Sequence, residues 1–272
     1  MTFAGFPAGE DDDHALAGAL HRRGAHVDFI CWDDPSIQWS TVGLAVIRST
    51  WDYHQRVDAF LAWVDYAESV TRLVNDARTV RWNAHKSYLH DLAATGVPVV
   101  PTEIVPRGGH HDLGAGDWVV KPAVSIGADR TTPHATQADL DTLVATDDVL
   151  VQPYRREVHD GEVSVICIGG EPMHAVRKVP KQGDFRTQEH LGAAVSRVTI
   201  TDAYARLAHA ALAVAPSPTA FARVDLLDTT EGPLLMELEL IEPTLWFDHG
   251  PDSADSLADL LLNHPGGSET PD

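Results

Sequence analysis

The chain has 272 residues, a formal charge of −20 and 44% hydrophobic residues, enough for one large or two to three small globular units with real cores. So negative a balance argues against nucleic acid and anionic membrane as partners, and no apolar run approaches membrane-spanning length. No signal-peptide pattern opens the chain, and Cys31 and Cys167 lie in separate apolar runs without metal-ligand spacing, which fits a reduced, cytoplasmic setting.

Residues 1–80 alternate helix and strand. Asp11-Asp12-Asp13-His14 precedes a helical pattern over 15–23, closed by Gly24. Residues 27–32 and 44–47 read as strands, and residues 57–69 as a helix with Phe60, Leu61, Val64 and Ala67 along one face. This predicts a small parallel α/β unit, in which ligands bind beyond the carboxyl ends of the strands. Arg48, Ser49, Trp51 and Asp52 follow the second strand and are therefore candidate substrate residues, Arg48 being able to fork a carboxylate. Simple packing of Trp51 and Tyr53, with Arg48 bridging two loops, is the structural alternative. Residues 2–6 are short and interrupted by Gly5, so the first strand is expected to be minimal or truncated.

A second unit begins at Asn75. Asn83 is expected to cap a helix carrying Lys86, Tyr88, Leu89 and Leu92, ended by Thr95-Gly96. A strand over 99–105, a Gly/His-rich loop over 107–116 and a strand ending on Lys121 come next. Backbone N–H groups of the small-residue loop after Lys121, together with its ammonium, could cradle a phosphate. No Walker pattern is present, and an ordinary strand exit reads the same way. Lys86, Lys121, Lys178 and Lys181 are the only lysines, which suggests that each sits where a compact ammonium is needed. Residues 136–145 read as a helix. Gln152-Pro153-Tyr154 ends a short strand like a hinge, and 162–169 with 172–178 form a hairpin.

Arg177, Lys178, Lys181 and Arg186 then gather within ten residues, as an anion site or as ion-pair partners for the acids. A mobile loop is expected over 186–194 and a helix over 201–214. Two apolar runs, 221–227 and 234–240, flank a turn and predict a β-hairpin. Side chains two apart on a strand share a face, so Glu237 and Glu239 point the same way and Asp225 can oppose them. Three converging carboxylates repel unless a hard cation cancels their charge, Mg²⁺ above all; a solvated hairpin face and a structural Ca²⁺ site are the competing readings. A helix over 253–262 and a polar tail over 264–272 complete the chain.

In this order the motifs NAHKSYL, DWVVKPAVSIGA, LVQPY, HAVRKVPKQGDFR and RVDLLDTTEGPLLMELELIEPT resemble the ATP-grasp superfamily, over about residues 27–247. Within it the chain resembles the glutathione-synthetase type, and RSTWDYH with ELELIEP looks like the O-ureido-D-serine cyclo-ligase branch that forms D-cycloserine. The resemblance implies an α/β and α+β chain: a small parallel α/β N-terminal domain (1–80), then a two-unit ATP-grasp fold with a central lid (81–149) and a C-terminal domain (150–272). It implies that Lys86 and Lys121 hold nucleotide phosphates, that Gln152, Pro153 and Tyr154 border adenine, and that Glu162 reaches the ribose. Lys178 and Arg186 would face the γ-phosphoryl group and the acyl phosphate, and Asp225, Glu237 and Glu239 would hold Mg²⁺, two ions being expected. Relatives commonly have Asn where Glu239 stands, and several glycines where only Gly127 stands here.

Arg48, Ser49, Trp51 and Asp52, with Glu242, Pro243 and Thr244, would line the substrate site, Asp52 or Glu242 facing an ammonium. The implied activity is ATP-dependent carboxylate–amine ligation of a small amino-acid-like substrate through an acyl phosphate, in antibiotic biosynthesis, with ring closure within one molecule as an option. A small-molecule kinase on the same scaffold and a catalytically inactive nucleotide-binding module are the alternatives. Self-association is left open.

Overall fold

A computed structural model of the chain describes residues 1–181, 186 and 192–263. Helix α1 (Asp11–Arg22) starts earlier than its apolar periodicity suggests, because acids at 11–13 favour the positive end of a helix and the Glu10 N–H donates to Asp13 Oδ2 at 3.1 Å. Strands β1 (Leu44–Val46) and β2 (Arg72–Val74) pair in parallel around helix α2 (Val57–Val70). The strand expected over 27–32 reduces to a single parallel bridge between Cys31 and Thr2. The segment at Thr2 is too short to offer a ladder, yet it fills the gap. Met1 N–H donates to Val46 O and Ser49 N–H to Met1 O, so a minimal strand lies between Cys31 and β1.

Helices α3 (Ala77–Ala84) and α4 (Tyr88–Ala94) follow, with Asp76 capping α3 through the Thr79 N–H. Asn83 is not the expected cap. It sits in the last turn of α3, where its side chain donates to Leu238 O and accepts from Leu240 N–H, both at 2.8 Å. A four-stranded antiparallel sheet comprises β3 (Glu103–Val105), β4 (Trp118–Pro122), β5 (Thr132–Pro133) and β6 (Val149–Pro153) in the order β3-β6-β4-β5, with α5 (Gln137–Val144) against it. Prolines at 98 and 101 break the strand expected over 99–105. Its first part pairs instead with the next sheet, through Val100 N–H to Leu235 O at 2.9 Å.

That second sheet has five antiparallel strands: β7 (Glu162–Ile168), β8 (Glu171–Val179), β9 (Ala194–Val198), β10 (Phe221–Thr229) and β11 (Gly232–Glu239), in the order β11-β10-β7-β8-β9. Both of its faces are covered. On one face α4 and helix α6 (Asp202–Leu212) bury Leu89, Leu92, Leu207 and Ala211 against Val163, Val165, Val224, Leu226 and Leu238. On the other, α1 and helix α7 (Ser253–Asn263) pack on Ile166, Ile168, Val176 and Phe221. This two-sided cover explains why every residue of β7 is buried. Asn75, just after β2, ties the N-terminal unit to this sheet by donating to Phe221 O and Leu240 O and accepting from Ala220 N–H. Among the described residues no helix is long and apolar enough to cross a membrane. The expected loop over 186–194 and tail over 264–272 fall wholly or mostly outside the described residues.

Candidate active site

The second face of the five-stranded sheet carries charge at its end. Alternation along the strands puts Glu162 and Ser164 of β7, Lys178 of β8, Arg223 and Asp225 of β10, and Glu237 and Glu239 of β11 on one side. All of these but Ser164 form one wall of a cavity of about 900 Å³, closed opposite by Lys121, Gln152 and the loop at Ser125–Ala128. Asp225 pairs across the ladder with Glu237, and Arg223 with Glu239. The expected convergence of the three carboxylates is thus present, with an arginine set among them.

Each acid has a distinct environment. Asp225 is 3% exposed and accepts from Ser164 Oγ at 2.5 Å and Arg223 Nε at 3.1 Å, with Lys178 Nζ at 3.5 Å. Burial works to raise its pKa, but Arg223 and Lys178 outweigh it and hold the group below the usual carboxylate range. Lys86 Nζ lies 2.9 Å from Glu237 Oε1 and Lys121 Nζ 3.6 Å from Glu237 Oε2. Burial is again opposed, and the two ammonium groups bring Glu237 down to about 2. Glu239 pairs with Arg223, but burial, reinforced by Asp225 and Glu237, prevails and lifts it to about 7. Burial, reinforced by Glu239, also carries Glu242 well above its ordinary value. Lysines and an arginine thus cancel Asp225 and Glu237, whereas Glu239 and Glu242 are not fully compensated.

The two lysines expected at the phosphates come from different elements and meet at one carboxylate. Lys86 also donates to Ser125 O at 2.7 Å, which anchors the loop after β4. Lys178 is held by Glu162 and by Asp225, and their charges raise its pKa although burial works the other way. Gln152, Pro153 and Tyr154 line the cavity, with Gln152 donating to Thr102 Oγ1 at 2.9 Å, and Arg186 lines it too. The basic cluster is split, however. Arg177 sits one position from Lys178 on β8 and so points to the α6 face, where it pairs with Asp228 at 2.6 Å. Residues 182–185 of that cluster fall outside the described residues.

The substrate candidates divide as well. Trp51, Glu242 and Thr244 line the cavity. Arg48, Ser49 and Asp52 are not in its lining and are committed elsewhere. Arg48 is 3% exposed, with Nε 3.2 Å from Asp13 Oδ1 and NH2 3.6 Å from Glu10, and Ser49 donates to Asp13. Asp52 accepts from Trp32 Nε1 at 2.9 Å and pairs with Arg56. Arg48 is hydrogen-bonded between α1 and β1 through Nε alone, and among the described residues its buried NH1 and NH2 have no hydrogen-bond partner. Lining residues assigned no site role from the sequence include Glu10, Asp11, Arg223 and Trp246, and Tyr53, read there as packing, lines the cavity as well. Arg223 was legible, since it lies two positions from Asp225 on the same strand; Trp246 and Glu10 carry no local signal.

Among the described residues no three His, Cys, Asp or Glu side chains stand close enough to hold a metal alone. Mg²⁺ seldom needs that, as it takes one or two carboxylates and completes its shell with water and phosphate oxygens. Glu237 and Glu239, both on the wall and one of them short of compensating charge, fit that donor set.

Residues 1–75 match the family model of the D-cycloserine synthetase DcsG N-terminal domain, and residues 126–245 match the RimK-like ATP-grasp domain. The chain is 31% identical over 276 residues to the cycloserine biosynthesis protein DcsG of Streptomyces lavendulae, covering 90% of this chain and 91% of that protein. The chain belongs to the DcsG family of ATP-grasp ligases. The crystal structure of D-cycloserine synthetase DcsG superposes with a TM-score of 0.83 at 28% identity, over 92% of this chain and 93% of that one. The ATP-grasp ligase PsnB, determined with a phosphomimetic variant of its minimal precursor, Mg and ADP, shares the fold at 15% identity, with a TM-score of 0.62 over 93% and 94% of the two chains. The expected fold class and the enzyme class, ATP-dependent joining of a carboxylate to an amine nitrogen, are those of the DcsG family.

Proposed function

We propose that this enzyme uses ATP with Mg²⁺ to activate the carboxylate of a small amino-acid-like substrate as an acyl phosphate. A nitrogen then attacks it, within the same molecule, to close a ring as in D-cycloserine formation. The observation that carries this reading is the meeting of Lys86 and Lys121 on Glu237, on the same wall of the cavity as Asp225 and Glu239. A triphosphate bearing about four negative charges would draw both ammonium groups to itself and free Glu237 as a metal ligand. Magnesium, two ions in this reading held by Asp225, Glu237 and Glu239, supplies charge neutralisation at the β- and γ-phosphates.

The remaining roles follow from position. The backbone at Gln152, Pro153 and Tyr154 borders the adenine. Glu162 faces the ribose hydroxyls, and in the ligand-free protein it steadies Lys178. Lys178, Arg186 and Arg223 face the transferring phosphoryl group. The substrate oxygen bonds to the γ-phosphorus as ADP leaves. The nitrogen next bonds to the acyl carbon, phosphate leaves, and the nitrogen gives up a proton to solvent or phosphate. With Arg48 withdrawn, the substrate carboxylate must face the Lys178–Arg223 wall, and Glu242, Thr244 and Trp51 are left for the amine end. The middle unit, 81–149, is the proposed lid that keeps water from the acyl phosphate. Two unpaired cysteines, Cys31 and Cys167, and the charge of −20 support a cytoplasmic enzyme with a small-molecule substrate and no nucleic-acid partner.

The test is ADP release with a panel of free amino acids and O-substituted serines of both configurations, O-ureido-D-serine included, with products weighed by mass spectrometry. Added hydroxylamine should trap a hydroxamate. ADP release with a phosphorylated product and neither hydroxamate nor cyclised product would make the enzyme a kinase, and no substrate-dependent ADP release would remove the proposal.

A further inference from the structure

Helix α1 opens on three aspartates, and each serves a different partner. Asp11 lines the cavity, and Asp13 holds Arg48 and Ser49. Asp12 is buried and turns toward the segment after β11. Its Oδ2 accepts the N–H groups of Leu245 at 2.6 Å and Trp246 at 2.8 Å, and its Oδ1 accepts that of Phe247 at 2.9 Å. From β8, His174 Nε2 meets Leu245 O at 2.8 Å. Three successive donors on one carboxylate leave that backbone little freedom. Trp246 is held there at φ +46°, a left-handed conformation that a bulky residue keeps only when its surroundings impose it.

So held, the indole lies beneath two cations. Lys178 Nζ is 5.6 Å and Arg223 Cζ 5.2 Å from its ring centroid, both within reach of a cation–π attraction. These two side chains carry like charge and sit side by side around Asp225, at 3.5 and 3.0 Å. Asp225 holds the two cations from one side, and the aromatic face attracts both from another without adding negative charge.

We propose that Trp246 is the positioning residue for Lys178 and Arg223, and that Asp12 acts through it, so that α1 of the N-terminal unit sets the charge presented to a nucleotide phosphate. This rests on reading the cavity as a nucleotide-phosphate site.

The experiment is calorimetric titration of the full chain with the non-hydrolysable ATP analogue AMPPNP and Mg²⁺, for wild type, W246F, W246L, D12N and D12N/W246L, with folding followed by thermal melting. Two cation–π contacts are lost in W246L, which should bind about tenfold more weakly, whereas W246F keeps a ring face and should recover most of that loss. D12N turns one of the two accepting oxygens into a donor that faces a backbone N–H and should also weaken binding, but not further in the W246L background. Binding by W246L within about threefold of wild type, or an undiminished D12N effect in that background, overturns the proposal. Where W246L does not fold, D12N carries the comparison, and binding equal to wild type overturns it. A wild type that binds no Mg–AMPPNP would instead defeat the nucleotide-site reading.

Discussion

Replacing Glu239 by Gln should stabilise the ligand-free protein at pH 8 while damaging the enzyme. Glu239 is ionised in an unfolded chain above about 4.5, but in the folded protein its carboxyl holds its proton up to about 7. A raised carboxyl pKa means that stability falls as pH climbs through this window, and the full cost is present above 7. The interval corresponds to roughly 3 kcal/mol at 1.36 kcal/mol per pH unit. The side chain is 25% exposed, and Gln would forfeit the contact with Arg223, which keeps its pairing with Asp225. A net gain of about 1–2 kcal/mol is expected at pH 8, shrinking toward zero at pH 5, where Glu239 is protonated in the native state. Urea unfolding of both proteins at the two pH values, in EDTA and without nucleotide, measures it. A variant no more stable than wild type at pH 8, or equally stabilised at both pH values, would show that Glu239 is not an uncompensated buried acid. Turnover should move the other way, because the same carboxylate is a proposed Mg²⁺ ligand.

Asp225→Asn or Glu237→Gln should lower turnover at least about tenfold with the fold intact, and unchanged turnover in either would remove its metal role. Arg48→Met should cost roughly 3 kcal/mol of stability, since it leaves Asp13 and Glu10 without their buried cation, while the KM of the folded enzyme stays put. A large KM rise with unaltered stability would return Arg48 to the substrate. Asn83→Ala removes two buried hydrogen bonds to β11 and should destabilise by about 2–3 kcal/mol in thermal or urea melts; a neutral effect would mean that α3 does not hold that strand's edge.

Much of the site was legible because strand alternation is a local rule. The hairpin acids at 225, 237 and 239 share a face in the sequence pattern and share it in the fold. The same rule separates Arg177 from Lys178, which grouping charges by proximity along the chain overlooked. Helix boundaries followed caps as much as apolar spacing, as at Glu10 and Asp76, and prolines at 98 and 101 shortened a strand that hydrophobicity alone had extended.

By itself, then, the sequence determined which side chains travel together on one element, and through its scarce lysines and ordered motifs, which family of folds they serve. Only the tertiary structure decided what faces what between distant elements. Arg48 looked free because its partners, Asp13 and Glu10, stand more than thirty positions earlier. Trp246 carried no signal because the carboxylate that turns its backbone, Asp12, is 234 positions away. Periodicity is set by bond geometry within a few residues, whereas such pairings depend on how whole layers pack, and no local pattern encodes that.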